Sequence, residues 1–462
     1  MRSGVSLELQ QIVAQALRGA TRLLLALSGG LDSCVLLQLL QQLLETQQLQ
    51  SLRAVHVHHG LSPQADEWAT FCQSYCHTVG VAYQCVPVFV IQRSRHSLEA
   101  AARTARYAAL AQLLDRGETL VTAHHRDDQC ETLLLALKRG SGPAGLAAMP
   151  QCQPFAAGVL CRPLLSVSRV RLHAYAQQQG LQWVEDASNQ LLQFDRNFLR
   201  HRILPPVVGR WPHFAEATLR SAQLCGEQEQ LLDELLQPLL QQCLDQHGAL
   251  AIEALAHCSD AKRQALLRRW CRQLGAPVPS RQQLLQLWSQ IALSSQDANP
   301  QLQLGHWQVR RYRQRLYLVA PLAPLPALCV WQDLESTLSL PAGLGRVWLQ
   351  SSDLPLLATE QVASWIRLPD LGQRVSWRFG LSGRVRITGR GSRPLKKIYQ
   401  EQGIPPWLRP RLPVLYYDDV AVTIPGLFVT EAGAPHPVNP ANSLIWQSDM
   451  APFLCRASRE TL

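Results

Sequence analysis

Six consecutive residues, Ser28-Gly29-Gly30-Leu31-Asp32-Ser33, have the types and order needed to hold an anion. Two glycines let the backbone come close to a charged ligand, and successive amides then form a concave nest of donors. The segment follows an apolar run and opens a helical pattern, so a helix N-terminus adds about half a positive charge. Ser28 and Ser33 supply hydroxyls. Asp32 would repel phosphate unless its charge is compensated, so it is expected to hold Mg²⁺ or to orient a cationic substrate. An ordinary Ser/Gly turn is the plain alternative, but it does not require strand, loop and helix to fall in register. Further on, the run from Ala123 to Thr132 sets His124 and His125 beside Asp127, Asp128 and Glu131. Asp128 and Glu131 share one helical face. Partnership with a helix dipole accounts for one such acid more readily than for two beside histidines. His124 is a candidate general base, with a structural hydrogen bond at a strand end as its rival. Arg103 and Arg106 also fall on one helical face, suited to clamping phosphate bidentately or to pairing within the helix with Glu99.

These groups need a scaffold. Arg22–Leu27, Leu52–His58, Tyr83–Val90 and Thr119–His124 read as short buried strands. Helical patterns at Ser33–Leu44, Ala65–Val79, Leu98–Asp115 and Asp127–Arg139 alternate with them, with Ser97 as an N-cap and Gly140 as a C-terminal stop. That alternation predicts an α/β fold with a doubly wound parallel sheet, which binds ligands at the carboxyl ends of its strands. Gly140 to Gly145 matches G-x-G-x-x-G only formally, since it follows a helix and contains Pro143; no Gly-Lys pair exists for a Walker loop. Beyond about residue 212 the pattern turns Leu/Gln-rich and helical from Phe214 to Gln246, with further helices near Ala261–Leu274 and Arg281–Leu293 and strands from His306 to Ala320. Prolines between 321 and 326 mark a linker. Strand-like alternation returns at Gln373–Gly389 and Val414–Thr430 around a short helix at Leu395–Glu401. The expected division is a catalytic domain over 1–212, a mainly helical domain over 213–320, a linker and bridge over 321–364, and a small basic α+β domain over 365–445.

Hydrophobic residues make up 47% and charged residues 17% of the 462, enough apolar material for several cores and too much for a disordered chain. No apolar run approaches the ~20 residues that span a bilayer. The first residues read as an amphipathic helix, not a secretion signal, so the expectation is a cytoplasmic protein with no membrane partner. The 13 cysteines are scattered and odd in number, so reduced thiols are expected. Cys72 and Cys76, next to His77, could hold a metal, but buried helix thiols are the plainer reading. The net charge of +10 is concentrated: between Trp365 and Leu415 eleven Arg and Lys face only Asp370 and Glu401, with Trp365, Trp377, Phe379, Tyr399 and Trp407 interleaved. Positive charge among stacking rings is the footprint of a nucleic-acid backbone binder; a solvated basic face in an Arg-rich chain is the rival.

The hexapeptide at 28–33 resembles the pyrophosphatase loop of enzymes that split ATP into AMP and pyrophosphate. Taken in order with His58-His59-Gly60-Leu61, the Glu99-to-Tyr107 stretch, the Ala123-to-Thr132 run, Lys138-Arg139-Gly140-Ser141-Gly142, Arg162-Pro163-Leu164-Leu165, Glu185-Asp186-Ala187-Ser188-Asn189 and Arg196-Asn197 with Arg200, it is similar to the tRNA(Ile)-lysidine synthetase family. Leu395 to Glu401, followed by Ile404, Trp407 and Arg409, resembles that family's terminal domain. The resemblance is dense over roughly residues 20–210 and good over 365–430. It implies an adenine nucleotide alpha hydrolase-like fold, ATP and Mg²⁺ as cofactors, and free L-lysine and an isoleucine tRNA with a CAU anticodon as partners. It also implies a homodimer. Carried over by residue, Ser28 to Ser33 bind ATP, Asp32 also the metal; Asp32, Arg103, Arg106, His124, Asp128 and Glu131 are catalytic. Arg196, Asn197, Arg200, Arg390, Arg393, Lys396, Lys397 and Arg409 bind tRNA. A tRNA thiolase of related fold or an amide-forming synthetase is the alternative; no CxxC pair is present for the cluster-dependent thiolases.

Overall fold

A computed structural model describes residues 4–90, 98–295, 298–350, 361–435 and 441–448; the side chains of residues 4, 98–100, 361 and 441 are also outside the description. Ser97, the expected N-cap, and the side chain of Glu99 therefore lie outside the described residues. The chain divides into two compact units, Met1–Gln237 and Pro238–Leu462.

The first unit opens with helix α1 (Gly4–Ala16) and then alternates strands and helices: β1 (Arg22–Ala26), α2 (Leu31–Glu45), β2 (Ser51–His58), α3 (Ala65–Thr78), β3 (Ala82–Pro87), α4 (Leu98–Leu113), β4 (Thr119–Val121) and α5 (Arg126–Lys138). Short α6 (Pro143–Leu146) leads to the hairpin β5 (Cys152–Phe155) and β6 (Gly158–Cys161). Then come α7 (Arg169–Gln178), α8 (Asp195–Phe198), α9 (Leu204–Arg210) and the long α10 (Phe214–Cys243). The sheet order is β3-β2-β1-β4-β6-β5, parallel except for the edge strand β5. Leu23 and Leu25 pack with α2 and α7 on one face, while Leu24, Val55 and Leu120 pack against Leu110 of α4 on the other. Burial on both faces explains the continuous apolar strands. Strand order reverses between β1 and β4, and a ligand crevice is expected there.

Gly140 ends α5 as anticipated, at φ +65°, with its amide on the Leu137 carbonyl and that of Ser141 on Ala136. The expectation of reduced thiols throughout is corrected at one place. Cys152 and Cys161 sit opposite each other in the β5–β6 register, with Cα atoms 4.3 Å apart, and are joined as a disulfide; close cross-strand approach in an antiparallel pair brings such side chains together. The other described cysteines are free, Cys72 and Cys76 fully buried in the α3 core, and no metal-binding cluster occurs among the described residues.

The second unit begins with a small antiparallel sheet, β7-β10-β9-β8, formed by Leu250–Ala251 (β7), Gln301–Leu304 (β8), Trp307–Tyr312 (β9) and Arg315–Val319 (β10). It accompanies α11 (Ile252–Ala256), α12 (Asp260–Gln273) and α13 (Arg281–Gln286). Residues 321–364, read above as linker and bridge, carry β11 (Cys329–Val330), β12 (Leu338–Ser339), β13 (Arg346–Gln350) and the start of β14 (Gln361–Arg367). They are followed by β15 (Val375–Phe379), β16 (Arg384–Ile387), β17 (Gly391–Pro394), α14 (Leu395–Glu401), β18 (Pro413–Tyr417), β19 (Val420–Ile424), β20 (Phe428–Val429) and β21 (Ala441–Gln447). Two antiparallel sheets, β11-β15-β18-β19-β20 and β12-β13-β21-β14, enclose a core with Trp331, Trp377 and Trp446, and β16–β17 form a separate hairpin.

Candidate active site

The loop after β1 is built as its composition suggested. Gly29 takes φ +82°, and a Cβ there would lie 3.0 Å from both Cys72 Sγ and Val184 Cγ2. Its carbonyl accepts the Val184 amide at 2.9 Å and the Cys34 thiol at 3.3 Å, which pins the loop from below. Gly30 caps α2, its amide directed at Ser28 Oγ (3.3 Å), and Ser33 Oγ donates to the Gly30 carbonyl at 2.9 Å. Ser28 and Ser33 hydroxyls are 3.1 Å apart. Asp32 opens the first turn of α2.

Across the switch point, α5 starts at the end of β4. Asp128 Oδ2 accepts the His125 amide at 3.0 Å and closes the helix N-terminus. His125, 1% exposed, stands between three acids: its Nε2 is 3.6 Å from Asp32 and 3.5 Å from Asp128, its Nδ1 3.4 Å from Asp127. Burial opposes its charging, but Asp128, Asp127 and Asp32 outweigh it and raise its pKa. This imidazole joins the two halves of the site, and sequence reasoning singled out its neighbour His124 instead. The overlooked signal was its place immediately before the helix whose first turn carries Asp127 and Asp128. His124 is different: burial, with Arg162, Arg103 and Arg106 nearby, lowers it to about 3 against the pull of Asp128. It stays neutral, with Nδ1 2.9 Å from Thr122 Oγ1.

Behind Asp128, Glu131 is fully buried. Arg200 donates from Nε to Glu131 (2.7 Å) and from Nη2 to Asp128 Oδ1 (3.0 Å), while Arg196 Nε lies 3.4 Å from Glu131 Oε2. Both arginines belong to α8 and the π-helical turn that follows it, Leu199–Ile203; such turns often mark functional sites. Asn197, between them, donates to the carbonyls of Ser188 and Leu191 and shapes the neighbouring wall.

A cavity of about 610 Å³ collects these parts. Ser28, Gly30, Leu31, Asp32, Ser33, Arg103, Arg106, His124, Asp128, Arg196 and Arg200 line it, joined by Trp183, Glu185, Asp186 and Arg169, which were not assigned roles from the sequence. Of the expected catalytic set only Glu131 is absent from the lining, held behind Asp128 by its arginines. Among the described residues no carboxylate pairs with Arg103 or Arg106, and both lie over the Tyr107 ring, 5.0 and 5.5 Å from its centroid. Burial raises the pKa of Asp32, His125 opposing and Asp128 reinforcing, and its Oδ1 is buried with no hydrogen-bond partner. An orphaned carboxylate oxygen facing a phosphate cradle suits Mg²⁺, which binds one or two carboxylates and takes its remaining ligands from phosphate and water. Arg390, Arg393, Lys396, Lys397 and Arg409 lie in the second unit, on or beside β17 and α14.

A phosphate cradle at the switch point of a parallel sheet, with two arginines across the cavity that have no carboxylate partner among the described residues, defines a nucleotide-using enzyme of the PP-loop class. Residues 1–207 match the family model of a PP-loop domain, 250–317 that of the TilS substrate binding domain and 375–446 that of the TilS substrate C-terminal domain. The tRNA(Ile)-lysidine synthase of Serratia proteamaculans is 53% identical over 92% of this chain and 95% of its own length; that of Edwardsiella ictaluri is 50% identical over 93% and 95%. The chain belongs to the tRNA(Ile)-lysidine synthase family, and with it to the ATP-using ligases. A U34-tRNA thiolase from Methanococcus maripaludis is similar at 16% identity and a TM-score of 0.41, over 48% of this chain and 79% of that one.

Proposed function

We propose that this protein joins free L-lysine to C2 of the wobble cytidine in the CAU anticodon of an isoleucine tRNA, so that the tRNA reads AUA instead of AUG. The cytidine C2 oxygen attacks the α-phosphorus of ATP and pyrophosphate leaves; the lysine ε-amine then attacks C2 and AMP leaves. The observation that carries this reading is one cavity in which a phosphate cradle faces both Arg103 and Arg106 and a carboxylate.

In this reading the amides and hydroxyls of Ser28 to Ser33 hold the phosphates, and Arg103 and Arg106 meet the negative charge that grows during transfer. Asp32 would hold Mg²⁺, which when bound neutralises phosphate charge. Asp128 attracts an ammonium group of lysine, and neutral His124 is the base that takes a proton from the attacking amine. Glu131 acts through Arg196 and Arg200, fixing two cations at the wall from which tRNA enters; Asn197 supports that wall. Arg390, Lys396 and Lys397 engage the tRNA body, and Arg393, paired with Glu401, and Arg409, turned to the Ile404 carbonyl, support that surface. No helix among the described residues is long and apolar enough to cross a membrane. The cytoplasmic setting rests on the sequence pattern and the homodimer on the family resemblance, and light scattering of the purified chain decides the second.

The test is incubation with ATP, Mg²⁺, labelled lysine and tRNA, following pyrophosphate release and the mass of the modified nucleoside. Lysine-dependent mass gain at the wobble cytidine is expected. Asp32→Asn should cut pyrophosphate release by about 100-fold or more. Release at the unaltered rate in that variant would remove Asp32 from the mechanism.

A further inference from the structure

Within the second unit, the module matched as a substrate binding domain meets the C-terminal module at the tip of the β9–β10 hairpin. Arg313 forms that tip at φ +54°, a backbone conformation that residues other than glycine rarely take. Its Nη2 donates to the Gln400 carbonyl at 2.6 Å, in the last turn of α14. That turn closes at Gly403, φ +71°, where an added Cβ would lie 3.4 Å from Arg313 Nη1. The guanidinium thus lies over the C-terminal end of the helix. Beside it, Trp407 of the C-terminal module is packed edge-on by Tyr317 at 5.3 Å and Tyr312 at 6.3 Å, while Arg310, held by Gln308 Oε1, stands 5.5 Å over its ring. Two tyrosines and two arginines of one module therefore grip one tryptophan and one helix end of the other.

A seven-residue helix is marginal alone, and its last carbonyls lack partners within the helix. The Gln400 carbonyl accepts the Gly403 amide at 3.2 Å, and the Arg313 cation adds a second, charge-assisted bond there that complements the helix dipole. The helix so capped carries Lys396 and Lys397 on exposed positions. We propose that Arg313 and the Trp407 seat are a joint that fixes the Lys396–Lys397 helix to the middle module, so that tRNA meets both modules as one rigid surface. Arg313 is then a positioning residue for RNA binding and makes no phosphate contact itself. This rests on the reading of the basic C-terminal module as a tRNA binder. Its physical content is effective concentration: two sites held in register bind as one, and loosening the link lowers affinity with every contact still available.

The salt dependence of tRNA binding by the full chain separates the possibilities, because each lost phosphate contact flattens the log–log slope by about one unit. Arg313→Gln and, separately, Trp407→Phe are expected to weaken binding of the isoleucine tRNA about tenfold with the slope unchanged. Lys396→Glu with Lys397→Glu should weaken binding and flatten the slope. A slope flattened by about one in Arg313→Gln would make Arg313 a phosphate ligand and overturn the joint. Unaltered affinity in both joint variants would overturn it too. If the lysine reversals leave affinity and slope unchanged, the RNA reading of the module itself fails, and the joint falls with it by a visibly different result.

Discussion

Gly29 and Gly30 are neighbours with separate duties, and single methyl groups distinguish them. Gly29 needs φ +82° and has Cys72 and Val184 within 3.0 Å of any added Cβ; Gly30 has φ −73° and nothing nearer than Ser28 Oγ at 3.5 Å. Gly29→Ala should therefore destabilise the protein by about 1–3 kcal/mol, whereas Gly30→Ala should melt like the parent and fail only in ATP binding, because Gly30 lines the cavity. Thermal melts with and without ATP check both, and a normal melt for Gly29→Ala would contradict the packing argument. Asp127 gives a pH-dependent case. Burial alone would raise its pKa, but the His125 ring 3.4 Å away and a hydrogen bond from the Arg169 amide hold it at about 2, below its ordinary 3.8. A depressed carboxylate contributes stability above the unfolded value, and that contribution disappears as the pH falls through 3.8 toward 2. Its side chain is 40% exposed, so with solvent screening the contribution is about 1 kcal/mol. Asp127→Asn should be less stable than the parent at pH 7 by that amount, with the gap closing below pH 3.8; a gap constant with pH would deny the electrostatic origin.

At the level of elements, α5, α8 and the π-helical turn are tied together by a charged cluster behind the cavity. Glu131 is fully buried with two arginines, and removing one partner of such a set typically costs about 3–5 kcal/mol. Glu131→Gln should lower Tm by roughly 6–20 °C in a unit of this size and raise the lysine KM, while adenylation of tRNA persists. An unchanged Tm with a raised lysine KM would instead put lysine directly on Glu131. Much of this scaffold was legible beforehand. α3, α4 and α5 begin and end within two residues of their periodic patterns, and α14 coincides with its own, because amphipathic spacing and Gly140 are local signals. The strands of 321–364 were not legible: β11 and β12 are two residues long, and β13 and β14 are completed by β21 from the far end of the chain. The role of His125 was hidden for the same reason, since Asp32 is brought beside it only by strand order. The pairing of Arg196 and Arg200 with Glu131, distant in sequence, was not legible either.

For the whole molecule, the relevant quantity is the positive charge left free after folding. The window from Trp365 to Leu415 holds eleven cations, but the fold occupies several of them. Arg411 is buried on the Ala323 carbonyl, Arg367 serves Ala432 and Asp370, Arg378 pairs with Asp419, Arg393 with Glu401, and Arg384 lies on Ser392. Arg409 is turned toward the Ile404 carbonyl and Tyr399. Arg374, Arg386, Arg390, Lys396 and Lys397 are exposed and, among the described residues, have no acidic partner. If this module binds the tRNA backbone, its share of the salt dependence should reflect about five contacts, a log–log slope near 4–5, and not the larger value that the raw excess of charge suggests. Lys396→Glu with Lys397→Glu removes two of the five, so the measured slope should flatten by about two units while ATP binding in the other unit is untouched. Arg411→Gln supplies the contrast: its cation is already occupied by the fold, and it should lower Tm without altering the slope. Should Arg411→Gln flatten the slope as much as a lysine reversal, the surface would be read by net charge alone, and the distinction between occupied and free cations would have no bearing on RNA binding.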